Sequence, residues 1–73
     1  EPAQPGEKAL SARERAVLRG VVEGLANKEI AAELQISESS VKAALQQVFN
    51  KTGVRTRSQL VRVALDRYRD LVV

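Results

Sequence analysis

Four side chains between positions 38 and 52 have the types and the spacing to hydrogen-bond or pack closely inside a groove. Each lies three or four positions from two of the others, so they share one face of a helix: Ser39, Lys42, Ala43 and Gln46. Serine, lysine and glutamine carry hydrogen-bond donors or acceptors, whereas the alanine methyl group contacts apolar atoms. In the major groove of DNA, glutamine matches adenine, lysine matches guanine, and the alanine methyl group matches the thymine methyl group. This face is therefore a candidate for direct base recognition.

A solvated helix surface is the alternative interpretation of the same face. Solvated faces usually carry several glutamate, lysine and arginine side chains, but Lys42 is the single charged residue among the four. Glu38 stabilises the start of this helix through the helix dipole, although its charge would repel a nearby phosphate. The low charge leaves two function classes open, a DNA-binding domain and a protein–protein interaction module built on the same scaffold.

The composition argues against catalysis. The chain contains no histidine and no cysteine, so the commonest general base, thiolate nucleophile and metal ligands are missing. It also lacks a glycine-rich phosphate loop, and 73 residues are too few to enclose a substrate pocket. We therefore predict that the protein is not an enzyme and has no cofactor. A net charge of +3 and a pI near 9.8 favour anionic partners only mildly.

Helical spacing of apolar residues recurs along the chain, and almost no segment alternates with period two. The pattern predicts an all-α fold, a four-helix bundle with helices over residues 12–23, 27–34, 38–52 and 57–70. The three-residue turn Gln35-Ile36-Ser37 between the second and third helices matches a helix-turn-helix. The predicted core residues of the last three helices are Ile30, Ala31, Leu34, Val41, Leu45, Val48, Leu60 and Ala64.

The helix boundaries follow from capping patterns. Capping boxes at 11–14 and 56–59 predict the starts of the first and fourth helices, and Ser37 is the expected N-cap of the third. For the second helix Ala26 is a poor N-cap, so we expect Asn27 to serve instead. Gly24 and Gly53 are placed to end the first and third helices in the left-handed conformation.

The first nine residues differ from the rest in composition. Residues 1–9 contain both prolines, a glycine and three charged residues, without an apolar run. They predict an interdomain linker or disordered tail, and residues 10–73 are the predicted domain. Neither a signal peptide nor a membrane span is predicted. Because the sequence lacks an initiator methionine, we expect a domain taken from a longer protein.

Six short motifs stand in an order and spacing that together are highly specific. They are Leu10-Ser-x-Arg-Glu14, Gly24-Leu25, Asn27-Lys-Glu-Ile-Ala31, Ile36-Ser, Val41-Lys42 and Lys51-x-Gly-Val54. With these motifs, the segment from Leu10 to Leu65 resembles the LuxR/FixJ-type (GerE-like) DNA-binding domain. Such domains are output modules of many bacterial response regulators and quorum-sensing regulators.

The resemblance implies that the third helix enters the major groove. At matched positions Lys42, Ala43 and Gln46 fall where the family contacts bases, and Ser39 completes the predicted base-contact set. Polar and basic residues around this helix are the predicted DNA backbone contacts: Asn27, Lys28, Ser40, Gln47, Asn50, Lys51, Arg55 and Arg57. Ser39 and Ala44 depart from the family, which often has lysine and histidine there. Because these departures remove phosphate contacts, we expect low affinity from a single domain.

The fourth helix is apolar over a wider sector than one core contact needs. Val61, Leu65 and Tyr68 lie toward one edge, and we expect them to form a homodimer contact, as the fourth helix of the family commonly does. Isolated exposed apolar residues are the alternative. The implied partners are double-stranded DNA, a second protomer, an upstream regulatory domain, which in this family can be a receiver, and RNA polymerase. The implied location is the bacterial cytoplasm.

Overall fold

The computed structural model describes residues 10–67 of the 73-residue chain. Within this range four helices follow one another and there is no strand: α1 Ala12–Val22, α2 Asn27–Leu34, α3 Glu38–Thr52 and α4 Arg57–Arg67. The predicted all-α class and the order of the four helices are confirmed. Helix α1 ends one residue earlier than predicted, and the predicted last residues of α4, 68–70, lie outside the described residues.

Helix α1 has the cap that its sequence predicts. The Ser11 hydroxyl accepts a hydrogen bond from the Glu14 amide at 3.1 Å, and the Glu14 carboxylate accepts one from the Ser11 amide at 2.8 Å. At the other end Gly24 is left-handed, with φ of 85°, and the Leu25 amide donates to the Gly20 carbonyl at 3.0 Å. This pattern is a Schellman motif, which satisfies carbonyl groups that the helix leaves unpaired.

The predicted N-cap of α2 is wrong by one residue. Ala26 is the capping residue in an extended conformation, and Asn27 is already the first helical residue. Alanine has no side-chain acceptor, so only the reverse half of a capping box forms, in which the Ala26 amide donates to Glu29 Oε1 at 2.7 Å. The Asn27 side chain is thereby left for another contact. After the helix Gln35 adopts φ of 59°, a left-handed conformation that the sequence did not indicate.

Helices α3 and α4 begin at the predicted residues. The Ser37 hydroxyl accepts from the Ser40 amide at 3.1 Å, and Gly53 ends α3 with φ of 76°. The Thr56 hydroxyl accepts from the Gln59 amide at 3.1 Å, but the Gln59 side chain accepts from the Arg55 amide at 2.9 Å. One of the two predicted bonds of the α4 capping box therefore forms. In the other, the Gln59 side chain accepts from the Arg55 amide rather than from the Thr56 amide.

The core lies where the other three helices meet α1. It consists of aliphatic residues and small alanines: Val17, Leu18, Val21, Ile30, Ala31, Val41, Ala44, Leu45, Val48, Leu60 and Ala64. Of the predicted core, Leu34 is only half buried at its edge. Gly20 allows α1 to approach α2 closely, because a methyl group there would lie 2.7 Å from Cγ1 of Ile30. This packing fixes α2 and α3 as a helix-turn-helix on α1.

Candidate nucleic-acid interface

Helix α3 has one buried face and one exposed polar face. Val41, Leu45 and Val48 are buried against the other helices, because their spacing puts them on the side that meets α1 and α2. All four predicted base-contact residues are exposed on the remaining surface: Ser39, Lys42, Ala43 and Gln46. The structure thus brings this predicted set together on the first three turns of one helix, where neighbouring side chains do not cover it.

Other polar residues extend this exposed surface. Gln47 and Asn50 are exposed, and the Asn50 side chain accepts a long bond of 3.4 Å from Gln46. Such a long bond is weak, so it leaves the Gln46 amide able to turn toward another partner. Ser40 is half buried, and its hydroxyl oxygen accepts from the Ser37 hydroxyl at 3.0 Å. The Ser40 hydroxyl therefore still has its own proton to donate.

The start of α2 lies beside the start of α4. Lys28 is exposed, whereas Asn27 is half buried and its side-chain oxygen accepts from Nη1 of Arg57 at 2.9 Å. Nη2 of Arg57 donates to the Leu25 carbonyl at 2.8 Å. Two of the predicted backbone contacts, Asn27 and Arg57, are thus bonded to each other across 30 positions of sequence.

Lys51 also has an internal partner. Its ammonium group lies 2.7 Å from Oε1 of Glu14, and both side chains are mostly buried. Burial of Glu14 opposes its ionisation, but the bonds and charge of Lys51 and the bonds from Ser11 outweigh this effect and lower the pKa of the carboxyl. Glu14 thus both completes the capping box of α1 and forms an internal ion pair, whose cation is Lys51.

Positive charge is concentrated outside the helix-turn-helix. Residues 27–52 contain three lysines and three glutamates, which sum to zero, whereas residues 53–67 contain four arginines and one aspartate, which sum to +3. Arg55 is exposed, and its guanidinium has no hydrogen-bond partner among residues 10–67. An approaching phosphate would therefore find exposed cationic groups at Arg55 and Lys28, and neutral donors on α3.

Helix α4 presents part of its apolar surface to solvent. Leu60 and Ala64 are fully buried, as predicted, while Val61 and Val63 are half buried. Leu65 is 51% exposed. Tyr68, the third predicted dimer residue, lies outside the described residues. In the described part of the chain no helix is long and apolar enough to cross a membrane.

Sequence reasoning missed two side-chain bonds that join distant parts of the chain. Nothing in the spacing of Glu14 and Lys51, or of Asn27 and Arg57, indicates that they meet. The one available signal was chemical, since an acidic cap residue in an apolar helix face needs a cation if it is buried. This argument predicts that a buried Glu14 needs a cationic partner, but it does not say which residue of the sequence provides it.

Comparison with known proteins agrees with this architecture. Residues 8–64 match the family model described as bacterial regulatory proteins, luxR family. The chain belongs to this family. Its members are DNA-binding transcription regulators rather than enzymes, and many are response regulators.

Individual bacterial regulators are similar to this chain in sequence and structure. The chain is 49% identical over 53 residues to the response regulator Rre1 of Synechocystis, and 36% identical over 64 residues to the transcriptional regulatory protein YdfI of Bacillus subtilis. These matches cover 73% and 88% of this chain but 23% and 30% of the relatives. The crystal structure of the response regulator ChrA, from a haem-sensing two-component system, matches with a TM-score of 0.77 and 39% identity. That match covers 99% of this chain and 33% of ChrA.

Proposed function

We propose that this luxR-family domain binds double-stranded DNA sequence-specifically by placing α3 in the major groove. The observation that carries the proposal is the exposed face of α3, which presents Ser39, Lys42, Ala43 and Gln46 opposite a buried aliphatic face. A single α-helix fits the major groove of B-DNA, and residues in its N-terminal part reach the base edges in helix-turn-helix proteins. All four residues lie in the first three turns of α3.

The phosphate backbone is the second part of the proposed interface. Lys28 and Arg55 supply exposed cations, while Ser40, Gln47, Asn50 and Asn27 supply neutral donors. Each cation that neutralises a phosphate contributes about −0.9 to the slope of log K against log salt. Lys51 is a weaker candidate because its ammonium group would first have to leave the buried Glu14 carboxylate.

A homodimer through α4 completes the proposal. Leu65 is the large exposed apolar residue of this helix in the described range, and Val61 and Val63 are half buried beside the core. Burial of this surface against a second copy would remove apolar area from water. A two-fold dimer would place its two α3 helices on half-sites about one helical turn, or 10 base pairs, apart.

The cellular setting is part of the same proposal. The chain spans 23% to 33% of the relatives described above, so the length of a second domain remains in each of them. By analogy with the response regulators among them, we infer that an upstream regulatory domain controls this output domain in the bacterial cytoplasm. RNA polymerase is the partner through which a bound regulator would act on transcription.

Selection of bound sequences from a random duplex library tests the proposal. We expect enrichment of a two-part motif, and fluorescence polarisation should then show tighter binding to that duplex than to a scrambled one. Binding to neither duplex at low salt, even near millimolar protein, would favour the alternative of a protein–protein interaction module. Equal binding to both would retain DNA binding and exclude sequence recognition.

A further inference from the structure

Arg57 makes a two-pronged contact that ties the beginning of α4 to the beginning of α2. It is the first residue of α4 and is half buried. Its guanidinium donates through Nη1 to Oδ1 of Asn27 at 2.9 Å and through Nη2 to the carbonyl of Leu25 at 2.8 Å. A guanidinium group holds its donors in a fixed plane, so two bonds to two acceptors fix the direction of both partners.

Helices α2 and α4 do not pack directly against each other. Their Cα atoms stay more than 8 Å apart throughout the described range, whereas α1 packs against both. An open groove lies between the two helix starts, and its polar and charged lining residues are Asn27, Lys28, Glu29, Glu38, Arg57 and Ser58. The Arg57 side chain therefore crosses this groove and defines the position of the α2 start relative to α4.

The contact also determines which way the Asn27 amide is turned. Arginine can only donate hydrogen bonds, so the oxygen of the Asn27 amide must face it. The two N–H donors of the amide then lie on its other branch, and they have no hydrogen-bond partner among residues 10–67. An anionic oxygen is the acceptor that best satisfies such donors. Asn27 is neither a capping side chain nor part of the core, so its oxygen serves the bond to Arg57 while its N–H donors serve no contact within residues 10–67.

Arg55 provides the contrast within the same segment. The two arginines are two positions apart and carry the same charge, but Arg55 is exposed with an unpaired guanidinium in the described part of the chain. Arg57 is half buried and uses both terminal nitrogens internally. A phosphate that took the same two N–H donors of Arg57 would leave the Leu25 carbonyl and the Asn27 oxygen without this donor.

We propose that Arg57 is a positioning residue for DNA binding, which orients the Asn27 amide so that its N–H groups meet a backbone phosphate, rather than a phosphate ligand itself. This inference rests on the proposed function, since it assigns a role within the DNA interface. Asn27 supplies the neutral donor and Lys28 beside it supplies positive charge. Arg57 fixes the position of Asn27 through its bonds to the Asn27 oxygen and the Leu25 carbonyl. If Arg57 positions Asn27 whereas Arg55 contacts phosphate, replacing each arginine by alanine should change the salt dependence of DNA binding differently.

The test uses fluorescence polarisation on the selected duplex over a salt series, at a temperature where circular dichroism shows each variant folded. Asn27→Ala should weaken binding roughly tenfold, as expected for the loss of one hydrogen bond to a charged group. Arg57→Ala and Arg57→Lys should each weaken it several-fold, because lysine keeps the charge but cannot make the planar two-pronged contact. The double variant Asn27→Ala/Arg57→Ala should bind no more weakly than Asn27→Ala alone. The salt slope should stay at the wild-type value in all four.

Arg55→Ala is the matched control, and its slope should become less steep by about 0.9. Asn27→Asp is a second readout, because aspartate still accepts from Arg57 but cannot donate to phosphate. It should keep or raise the melting temperature while losing at least as much affinity as Asn27→Ala. Arg19→Gln, on α1, also lowers the net charge by one but lies away from the contact between Arg57 and Asn27. This variant should bind DNA nearly as the wild type does.

Three results would contradict the positioning role. They are full affinity of Arg57→Lys, a slope change in Arg57→Ala equal to that of Arg55→Ala, and additive losses in the double variant. Any of them with normal wild-type binding would overturn the positioning role and leave the proposed function intact, and the equal slope change would also assign Arg57 to direct phosphate contact. A wild-type domain that binds no duplex would instead overturn the proposed function together with this inference.

Discussion

The ammonium group of Lys51, in the last turn of α3, lies 2.7 Å from the carboxylate of Glu14, in the first turn of α1. The two residues are 37 positions apart, and the same carboxylate also accepts from the Ser11 amide. One buried side chain thus caps α1 and anchors the end of the proposed recognition helix. Its charge is part of the fold, which has consequences for both stability and pH dependence.

Glu14→Gln should lower the free energy of unfolding by roughly 1–3 kcal/mol at neutral pH, because Lys51 loses a charge-assisted bond in a mostly buried place. Urea unfolding followed by circular dichroism measures the change. Lys51→Met should cost a similar amount, since it leaves the Glu14 carboxylate without this cation. The double variant should cost less than the sum of the two single variants, because neither partner is then left unmatched. Additive costs would mean that the pair contributes no coupling.

The stability of the wild-type domain should fall in acid partly through Glu14. The pKa of this carboxyl is lowered in the folded state, so the folded protein binds its proton less readily than the unfolded chain does. Its contribution is therefore present above the ordinary glutamate pKa and is lost as the pH falls through the lowered value. The difference in unfolding free energy between wild type and Glu14→Gln should shrink along that range. A difference independent of pH from 7 to 2.5 would contradict this assignment.

Gly20→Ala should destabilise the domain by up to about 2 kcal/mol even though alanine is the better helix former. The added methyl group would lie 2.7 Å from Cγ1 of Ile30, which is buried and cannot move aside without repacking, and such overpacking costs more than the propensity gain of about 1 kcal/mol. Ala32→Gly, at an exposed position of α2, is the reverse exchange and should also cost about 1 kcal/mol. Thermal unfolding of the two variants separates overpacking from helix propensity. If Gly20→Ala instead raised the melting temperature, α1 and α2 would not be in tight contact at this position.

Lys42→Ala should weaken binding to the selected duplex more than binding to a scrambled duplex. A lysine that contacts a guanine edge contributes discrimination of about 1–3 kcal/mol, roughly 5- to 150-fold, whereas a lysine on phosphate contributes equally to both duplexes. Polarisation titrations on the two duplexes measure the ratio. Arg19→Ala removes the same charge from α1 and should leave the ratio unchanged. Equal losses on both duplexes would reassign Lys42 to the backbone.

Leu65→Glu should abolish the proposed α4 homodimer, because it places a charge on the exposed apolar surface that the dimer would bury. Analytical ultracentrifugation should show a monomer, and binding should weaken on a duplex with two half-sites but not on one with a single half-site. Ala12→Glu adds the same charge at an exposed position of α1 and should retain the wild-type pattern. Gel shifts that are insensitive to half-site spacing would exclude a dimer with fixed geometry.

The sequence by itself determined the four helices, most of their ends and the residues that share the exposed face of α3. These features depend on neighbours within a few positions: the Ser11 and Ser37 caps, the left-handed Gly24 and Gly53, and the apolar spacing around Val41. The misplaced cap of α2 had a local origin too, because Glu29 accepts from the Ala26 amide and so makes Ala26 rather than Asn27 the capping residue.

Only the tertiary structure decided which polar side chains remain available to a ligand. Lys51 and Arg57 are as basic as Lys28 and Arg55 in the sequence, yet the first two are bonded internally and the last two are exposed. The difference arises because packing on α1 brings the end of α3 onto Glu14 and the start of α4 beside Asn27. A hydrogen bond across 30 or 37 positions depends on the relative placement of whole helices, and no local pattern records that placement.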